Sequence, residues 1–238
     1  NSSFINNSCV GSNGHGGAAY FPGNISNCRF ESNKANTGHG GAIICGWKVI
    51  ENSLFIDNMA ALNGGAIHKT NSGQIINCTF IGNHGHEYGG AICDEGTSTE
   101  IVNCIFSNNI QLLSLDNSVY NLASNPLNIT YSCTPESIDG TGNITADPGF
   151  VNDGTFYLAA NSPCIDAGNG DVAPVTDLDG KLRHDDFGAR NTGTGTPDYA
   201  DMGVFEFQGS SSLNGQYTIG STGDFTSFSE AVDSLISL

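Results

Sequence analysis

The chain has 238 residues with 7 Lys plus Arg and 24 Asp plus Glu, which gives a formal net charge of −17 at pH 7. A protein this negative repels nucleic acid and anionic membranes, and no stretch approaches the roughly 18 apolar residues of a membrane span. We therefore expect neither a nucleic-acid partner nor a membrane-spanning helix. Residues 111–238 carry a net charge of −14 and residues 1–110 only −3. That excess either attracts cations or keeps an exported protein soluble.

Residues 1–110 repeat a pattern with a period near 25 residues. Phe-x-x-Asn recurs with Phe-to-Phe spacings of 26, 25, 25 and 26, and Gly-Gly-Ala recurs with spacings of 24, 24 and 25. Short β-branched and aromatic runs between Asn, Gly and Ser turns favour strands over leucine-rich repeats. The period predicts an all-β solenoid of about 25 residues per coil, whose successive coils stack as parallel strands about 4.8 Å apart.

Equivalent positions in successive repeats keep one chemical character, as stacked coils require. Asparagine can hydrogen-bond its copy in the next coil, so the spacing predicts an asparagine ladder. Cys78 and Phe80 lie two residues apart and share one strand face, whereas Ile75 is three residues before Cys78, which favours a bulge.

The predicted ladder consists of Asn33, Asn58, Asn83 and Asn109. A second column of asparagines contains Asn27, Asn52, Asn77 and Asn103, and a column of isoleucines contains Ile25, Ile50, Ile75 and Ile101.

The eight cysteines show no Cys-x-x-Cys spacing, which argues against a zinc site. Cys78 and Cys104 lie one coil apart in one column, so their Cα atoms would be about 5 Å apart, within reach of a disulfide. The alternative is that both are reduced and pack as small hydrophobic residues. Cys133 and Cys164 lie outside the strict repeat and form a second candidate pair.

Beyond residue 110 the pattern becomes irregular. The sequence of residues 111–165 indicates longer coils. The acidic, loop-rich sequence of residues 166–208 indicates a segment that closes the end of the solenoid. Residues 208–212 are typical of a flexible linker. Helical spacing after a capping box of Ser227 and Glu230 predicts a helix that caps a further module. We therefore predict a solenoid module over 1–208 and a linker with the start of a following module over 209–238, both belonging to a longer chain.

Gly-Gly-Ala-Ile with Phe-x-x-Asn resembles the repeats of chlamydial polymorphic outer membrane proteins and related right-handed parallel β-helix surface proteins. The stretches ADPGFVNDGTFYLAANSPCIDAGN (146–169), APVTDLDGKLR (173–183) and DMGVFEF (201–207) are similar to the closing segment of secreted Bacteroidetes β-helix proteins, which typically use the type nine secretion route. Residues 213–235 resemble the opening of another module in giant proteins of that group. The resemblance implies a right-handed parallel β-helix that is secreted to the cell surface, a fold that carries lyases, hydrolases, adhesins and plain stalks.

Two groups of residues have the composition of a metal site. Asp177 and Asp179 lie two residues apart beside a glycine turn, which is compatible with calcium. The full spacing of a calcium loop is absent, so an ordinary Asp-capped turn is the alternative, and in the resembled family this Asp-x-Asp-Gly is structural. His15 and His39 occupy equivalent positions and either bind a metal or form a polar stack at a turn.

Hydrolysis or elimination of a polysaccharide would need an acid and a base held together. Lys69 aligns with Asp94 of the next coil, which predicts a surface ion pair. Asp94 and Glu95 are adjacent and would point to opposite faces of a strand. No acid–base pair emerges, and we expect no enzyme activity.

These observations predict a structural or adhesive module of a large exported, multi-module bacterial surface protein or filament, with no cofactor other than calcium. The expected partners are neighbouring modules of the same chain, further copies of the chain, or surface glycans. The alternative is a polysaccharide-degrading or carbohydrate-binding β-helix similar to pectate lyases. A surface groove lined by aromatic residues would favour that alternative, and the exposed candidates are Tyr20, Phe21, Trp47 and Tyr88.

Overall fold

The fold was taken from a computed structural model, which describes residues 1–11, 14–21, 23–46, 48–96, 98–113, 118–122, 128–209, 219–220 and 225–230. Its strands are short and form four parallel sheets of five strands each. Each coil contributes one strand to every sheet, so the described strands wind through five coils. No helix among the described residues is long and apolar enough to cross a bilayer.

The strands alternate between the four sheets in chain order. Sheet 1 contains β1 (Ser2–Ile5), β5 (Cys28–Glu31), β9 (Leu54–Ile56), β13 (Thr79–Ile81) and β17 (Ile105–Ser107). Sheet 2 contains β2 (Ser8–Cys9), β6 (Lys34–Ala35), β10 (Met59–Ala60), β14 (His84–Gly85) and β18 (Ile110–Gln111). Sheet 3 contains β3 (Ala19–Tyr20), β7 (Ile43–Cys45), β11 (Ile67–Lys69), β15 (Ile92–Asp94) and β19 (Val119–Asn121). Sheet 4 contains β4 (Ile25–Ser26), β8 (Lys48–Glu51), β12 (Gly73–Ile76), β16 (Thr99–Val102) and β20 (Asn128–Thr130).

The register of the sheets confirms the solenoid predicted from the repeat. Phe30 pairs with Phe55 in the next coil, and Ile50 pairs with Ile75, so each residue faces its equivalent 25 positions on. The inward side chains form one continuous core that runs from Ile25 to Ile129. Because every coil adds the same few apolar side chains, the core is narrow but extends along the whole stack.

Left-handed backbone makes the corners between sheets. Asn77 has φ +46° and lies between β12, which ends at Ile76, and β13, which begins at Thr79. The predicted bulge near Ile75 is therefore wrong, since a corner at asparagine changes the phase of the side chains instead. The equivalent residues in the other coils have φ between +48° and +55°: Asn27, Asn52 and Asn103.

Glycine is required where two coils meet most closely. A Cβ atom on Gly41 would lie 1.9 Å from the carbonyl oxygen of Gly65 in the next coil. Gly40 adopts φ +66°, a conformation that other residues rarely adopt. The Gly-Gly-Ala motif is thus the sequence signature of a corner without room for side chains.

Residues 146–207, which we call the flanking segment, lie against the side of the coils rather than only at their end. The Asn77 amide donates to the carbonyl oxygens of Asp201 and Gly203, at 3.0 and 3.1 Å. Further along the stack, the Asn52 amide donates to Thr176 O at 2.6 Å. The prediction that residues 166–208 close the end of the solenoid did not include these lateral contacts, in which the segment covers outward apolar side chains of sheet 1.

A helix begins at residue 228 after the predicted capping box. Glu230 N donates to Ser227 Oγ at 3.1 Å, and Ser227 N donates to Glu230 Oε2 at 3.3 Å. Residues 231–238 and most of the predicted linker lie outside the described residues.

Candidate functional site: side-chain ladders and the flanking segment

The four asparagines of the predicted ladder lie on one line and hydrogen-bond from coil to coil. The Nδ2 atoms of Asn33 and Asn58 each donate to the next Oδ1 at 2.9 Å, and Asn83 donates to Asn109 Oδ1 at 2.8 Å. Asn7 adds a fifth member, since its Nδ2 donates to Asn33 Oδ1 at 2.9 Å. Each ladder amide therefore continues the chain of hydrogen bonds along the stack.

Phenylalanine rings form a second line inside the core. Phe4, Phe30, Phe55, Phe80 and Phe106 stack with centroids 4.8 to 5.0 Å apart and interplanar angles of 4 to 8°. The spacing equals the distance between neighbouring parallel strands. The rings thus repeat at the spacing of the coils that carry them.

The second asparagine column holds the flanking segment. Asn103 Nδ2 donates to Asn77 Oδ1 at 3.0 Å and to Asn169 O at 2.9 Å, and Asn169 N donates back to Asn103 Oδ1 at 2.7 Å. These residues make the coil corners and also supply amides to the flanking segment. The asparagine column could be predicted from the sequence. Its hydrogen-bond partners in the flanking segment could not, because their positions do not follow the repeat.

Apolar contacts accompany these hydrogen bonds. Leu54 and Ile81 on the outer face of sheet 1 pack with Val204 and Phe205 of the flanking segment. Val204 N also donates to Thr79 Oγ1 at 2.9 Å. The DMGVFEF stretch thus covers a face of the solenoid that would otherwise expose apolar side chains.

Asp177 organises its own loop. Its Oδ1 accepts from Asp179 N at 2.9 Å and from Lys181 N at 2.8 Å, and its Oδ2 accepts from Glu206 N at 3.0 Å. Asp179 is exposed to solvent on the same turn and accepts a hydrogen bond from the Tyr157 hydroxyl. The structure thus brings the two residues together in an Asp-capped turn. Over the described residues, no group of three or more His, Cys, Asp or Glu is arranged to hold a metal.

Several acidic residues of the flanking segment are buried rather than solvated. Glu206 Oε2 accepts from Arg183 Nη1 at 2.6 Å, and Asp201 Oδ1 accepts from Asp166 N at 2.7 Å. Burial, followed by repulsion from Asp185, raises the pKa of Asp166 to about 8. The sequence analysis treated these acids as surface charge and missed the network, for which a basic residue such as Arg183 in an acidic segment is the only signal.

The cysteines Cys78 and Cys104 are free thiols, so the predicted disulfide is not formed in the structure. Both are fully buried, and Cys78 Sγ lies 3.3 Å from Ile76 O and 3.7 Å from Ile50 O. Burial raises the pKa of Cys78 well above its usual value. This matches the alternative interpretation, in which the thiols pack as small hydrophobic residues.

Lys69 and Asp94 are register partners, but the predicted surface ion pair is wrong. Both are buried, and Lys69 Nζ donates to the carbonyl oxygens of Gly46 and Ser72 at 2.7 and 2.9 Å. Asp94 Oδ1 accepts instead from Gly96 N at 2.9 Å. Each of the two side chains hydrogen-bonds to the main chain of a loop between sheets 3 and 4, and that loop shields it from solvent.

Three histidines form a stack at the Gly-Gly corner. His39 lies 5.2 Å from His15 and 4.5 Å from His68, measured between ring centroids. His68 Nε2 is 3.1 Å from Glu95 Oε1, and burial lowers the pKa of His68 to about 4. The polar stack expected for His15 and His39 therefore includes His68, whose position in β11 gave no periodic signal.

A groove of about 910 Å³ separates the solenoid from part of the flanking segment. Its walls include Ile81 and Ser107 from the coils, and Phe150 and Phe156, whose rings meet edge-to-face at 5.9 Å. Of the aromatic residues selected from the sequence, Tyr20, Phe21 and Tyr88 are exposed elsewhere, and Trp47 lies outside the described residues.

Comparison with protein families supports the solenoid repeat. Residues 52–70 and 77–95 each match the model of the Chlamydia polymorphic membrane protein repeat. Comparison with curated proteins and with solved structures gave no significant match. The match indicates no bacterial group or secretion route, so the Bacteroidetes resemblance and the type nine route remain predictions. The chain is a parallel β-helix repeat module that contains two copies of a repeat similar to that of the chlamydial polymorphic membrane proteins.

Proposed function

We propose that this β-helix is a structural and adhesive module of a large exported surface protein, with neighbouring modules of the same chain as its first partners. The observation that carries the proposal is the asparagine ladder, which links five coils through amides that are buried in all but the first coil. The similarity of two coils to a membrane-protein repeat favours a location at the cell surface.

The ladders favour a mechanical role because they resist sliding of one coil over the next. A shift of register would break parallel strand pairs, unstack the phenylalanine rings and leave buried amides without partners. The flanking segment also holds separate coils together, because it hydrogen-bonds to Asn52 in one coil and to Asn103 two coils further on. Such a rod contributes length and stiffness, at about 4.8 Å per coil.

The arrangement of the acidic residues favours a protein without enzyme activity. In the coils, Asp94 is engaged with its own loop, and in the flanking segment Glu206 is held by Arg183. We expect no product from pectin, alginate or neutral glycans incubated with the chain. Product release that a single Asp or Glu substitution abolishes would overturn this expectation.

Deletion in the parent protein tests the structural role. Cells that produce the parent protein without residues 1–208 should carry a shorter surface structure and attach less firmly, as seen by electron microscopy and a shear-flow assay. A matched strain carries Asn161→Ala, an exposed substitution in the same module, and should attach like the wild type. Unchanged length and attachment in the deletion strain would contradict the proposal.

The groove favours a second candidate function, the binding of a carbohydrate. Phe150 and Phe156 offer apolar ring surface beside polar groups of Ser107 and Asn152, a combination that suits a sugar ring. A glycan array with the purified chain tests this. Binding that is lost in Phe150→Ala with Phe156→Ala, but retained in the distant control Tyr20→Ala, would support it. No binding to any glycan would reject it and leave the structural role unaffected.

A further inference from the structure

The structure brings two cysteines together where the last coil meets the flanking segment. Cys133 continues the solenoid, since its N donates to Cys104 O at 2.8 Å and it bridges Ile105 on one side and Ile144 on the other. Cys164 belongs to the flanking segment, where its carbonyl oxygen accepts from Met202 N at 3.0 Å.

The two thiols share one buried apolar cluster, and their mutual interaction is the first cause of the pKa shift of each. Neither residue is exposed to solvent, and both thiols are free. They are 31 positions apart in the chain (164 minus 133), so a bond between them would close a long loop. It would also join two parts of the molecule that otherwise meet only through noncovalent contacts.

We propose that Cys133 and Cys164 are an oxidation site, at which a disulfide fastens the flanking segment to the coils. The proposal goes beyond the structural role and does not depend on it.

The co-reactant is a disulfide, either a small molecule such as oxidised glutathione or the disulfide of a protein oxidant. The thiolate of Cys133 attacks one sulfur of that disulfide, which forms a mixed disulfide and releases one thiolate. The thiolate of Cys164 then attacks the Cys133 sulfur and releases the second thiolate. The two protons lost by the cysteines are taken up by the two released thiolates, so that two cysteines are oxidised and one external disulfide is reduced.

The pKa values describe the two thiols after the flanking segment has docked. The interaction with Cys164 is then the main cause that lowers the pKa of Cys133, as expected for two neighbouring thiols. In the other buried pair, burial and the interaction with Cys104 raise the pKa of Cys78, and both thiols donate to main-chain carbonyl oxygens, as Cys133 does to Ala146 O. Cys78 and Cys104 lie within the core of the coils, where a bond would join no separate segment, so they serve as the comparison pair, which we expect to remain reduced.

Full burial determines when the reaction takes place. Because no solvent reaches either sulfur in the folded structure, the external disulfide must react before the flanking segment packs on the coils. Docking then brings the second thiol to the mixed disulfide and expels the leaving group. The bond should consequently form during oxidative refolding and be slow to form in the folded, reduced protein.

The test compares oxidative and reductive refolding of the whole chain. The chain is unfolded under reducing conditions, refolded with oxidised and reduced glutathione, denatured, alkylated and analysed by peptide mass spectrometry. We expect a cross-linked pair of peptides containing Cys133 and Cys164, with the Cys78 and Cys104 peptides alkylated. The oxidised protein should melt about 10 °C higher than the reduced one, the range expected for a loop of this length.

Two variants separate the assigned pair from the others. Cys133→Ser with Cys164→Ser should lose the cross-link and the difference in melting temperature, whereas Cys78→Ser with Cys104→Ser should keep the cross-link. The peptide analysis of the unmodified chain decides the question even where a variant fails to fold. Alkylation of both Cys133 and Cys164 after oxidative refolding, or a cross-link between other cysteines, would overturn the proposal.

Discussion

Asn58, in the middle of the ladder, uses its whole side-chain amide. Its Nδ2 donates to Asn83 Oδ1 at 2.9 Å and Phe30 O at 3.0 Å, while its Oδ1 accepts from the N and Nδ2 atoms of Asn33 at 3.0 and 2.9 Å. Asn58→Ala would leave these buried partners without hydrogen bonds. We expect the free energy of unfolding to fall by about 1–3 kcal/mol, measured by urea denaturation.

The exposed Asn161 provides the matched control for this prediction. Asn161→Ala should change the free energy of unfolding by less than about 0.5 kcal/mol, as is usual for a surface substitution. Equal effects of the two substitutions would show that the ladder contributes no stability beyond that of an exposed amide.

His68 should make the protein sensitive to acid. Its folded-state pKa of about 4 lies below the usual 6.5, mainly because of burial and against the attraction of Glu95. The unfolded chain therefore binds a proton more readily between pH 6.5 and 4, so the stability that neutral His68 contributes is complete above pH 6.5 and is lost as the pH falls through this window. His68→Gln should lose less stability between pH 7 and 4.5 than the wild type.

Chemical denaturation at several pH values measures this difference. The raised pKa of Asp166 acts in the opposite direction, since its proton is bound more tightly in the folded state and stability rises as the pH falls from about 8 to 4. That contribution is common to both proteins, so the comparison isolates His68. His86→Gln, at an exposed residue, is the control. Parallel pH profiles for wild type and His68→Gln would contradict the prediction.

The residue types in the columns could be predicted from the sequence, but several of their partners could not. Spacings of 25, 25 and 26 residues place the four ladder asparagines, because stacked coils impose the same position on each. Lys69 looked like a surface residue, since nothing in the repeat shows that its loop folds over it. Asn77 and Asp201 are 124 residues apart and share no period, so their hydrogen bond is visible only in the folded chain.

At the scale of the element, one coil is the unit that the sequence repeats. Deletion of residues 27–51, which is 25 residues, joins Ser26 to Asn52 and keeps every column in register. Because stability in such proteins depends on contacts between neighbouring repeats, the shortened chain should still fold cooperatively. Circular dichroism and a thermal melt should show a β-rich protein with a lowered melting temperature.

Deletion of half a coil is the matched control. Removal of residues 27–38 takes out 12 residues, so phenylalanines, asparagines and the Gly-Gly corner lose their equivalents in the coil below. We expect loss of the cooperative transition and rapid proteolysis. If both deletions folded equally well, the columns would not determine the register.

The position of the flanking segment could not be predicted from the pattern of single strands. Its irregular sequence indicated that the regular coils had stopped, but not where the chain goes next. The outward side chains of Leu54 and Ile81 indicate where the segment packs, because apolar residues on an outer face are usually covered by another part of the protein. A sequence reading that assigned both faces of sheet 1, and not only the inner one, would have predicted lateral packing.

Over the whole molecule, the acidic charge has two roles rather than one. The excess at residues 111–238 is partly at the surface, as solubility requires, but Asp166, Asp177, Asp201 and Glu206 are buried within the flanking segment. These carboxylates accept hydrogen bonds from main-chain N–H groups and so replace the regular strand pairing that the segment lacks. Part of the acidic composition is thus a structural feature of the fold rather than surface charge, and burial raises the pKa of Asp166 to about 8.

This use of the carboxylates leads to an expectation for calcium. A structural calcium ion would stabilise the folded state by mass action, and a chelator would then lower the melting temperature. Because Asp177 already accepts from Asp179 N, Lys181 N and Glu206 N, we expect the melting curve to be the same with EDTA and with added calcium. Asp177→Asn should lower the melting temperature equally in both conditions, since it weakens these hydrogen bonds. A melting temperature that falls in EDTA and recovers with calcium, but not in the variant Asp177→Asn with Asp179→Asn, would instead establish the calcium site at this turn.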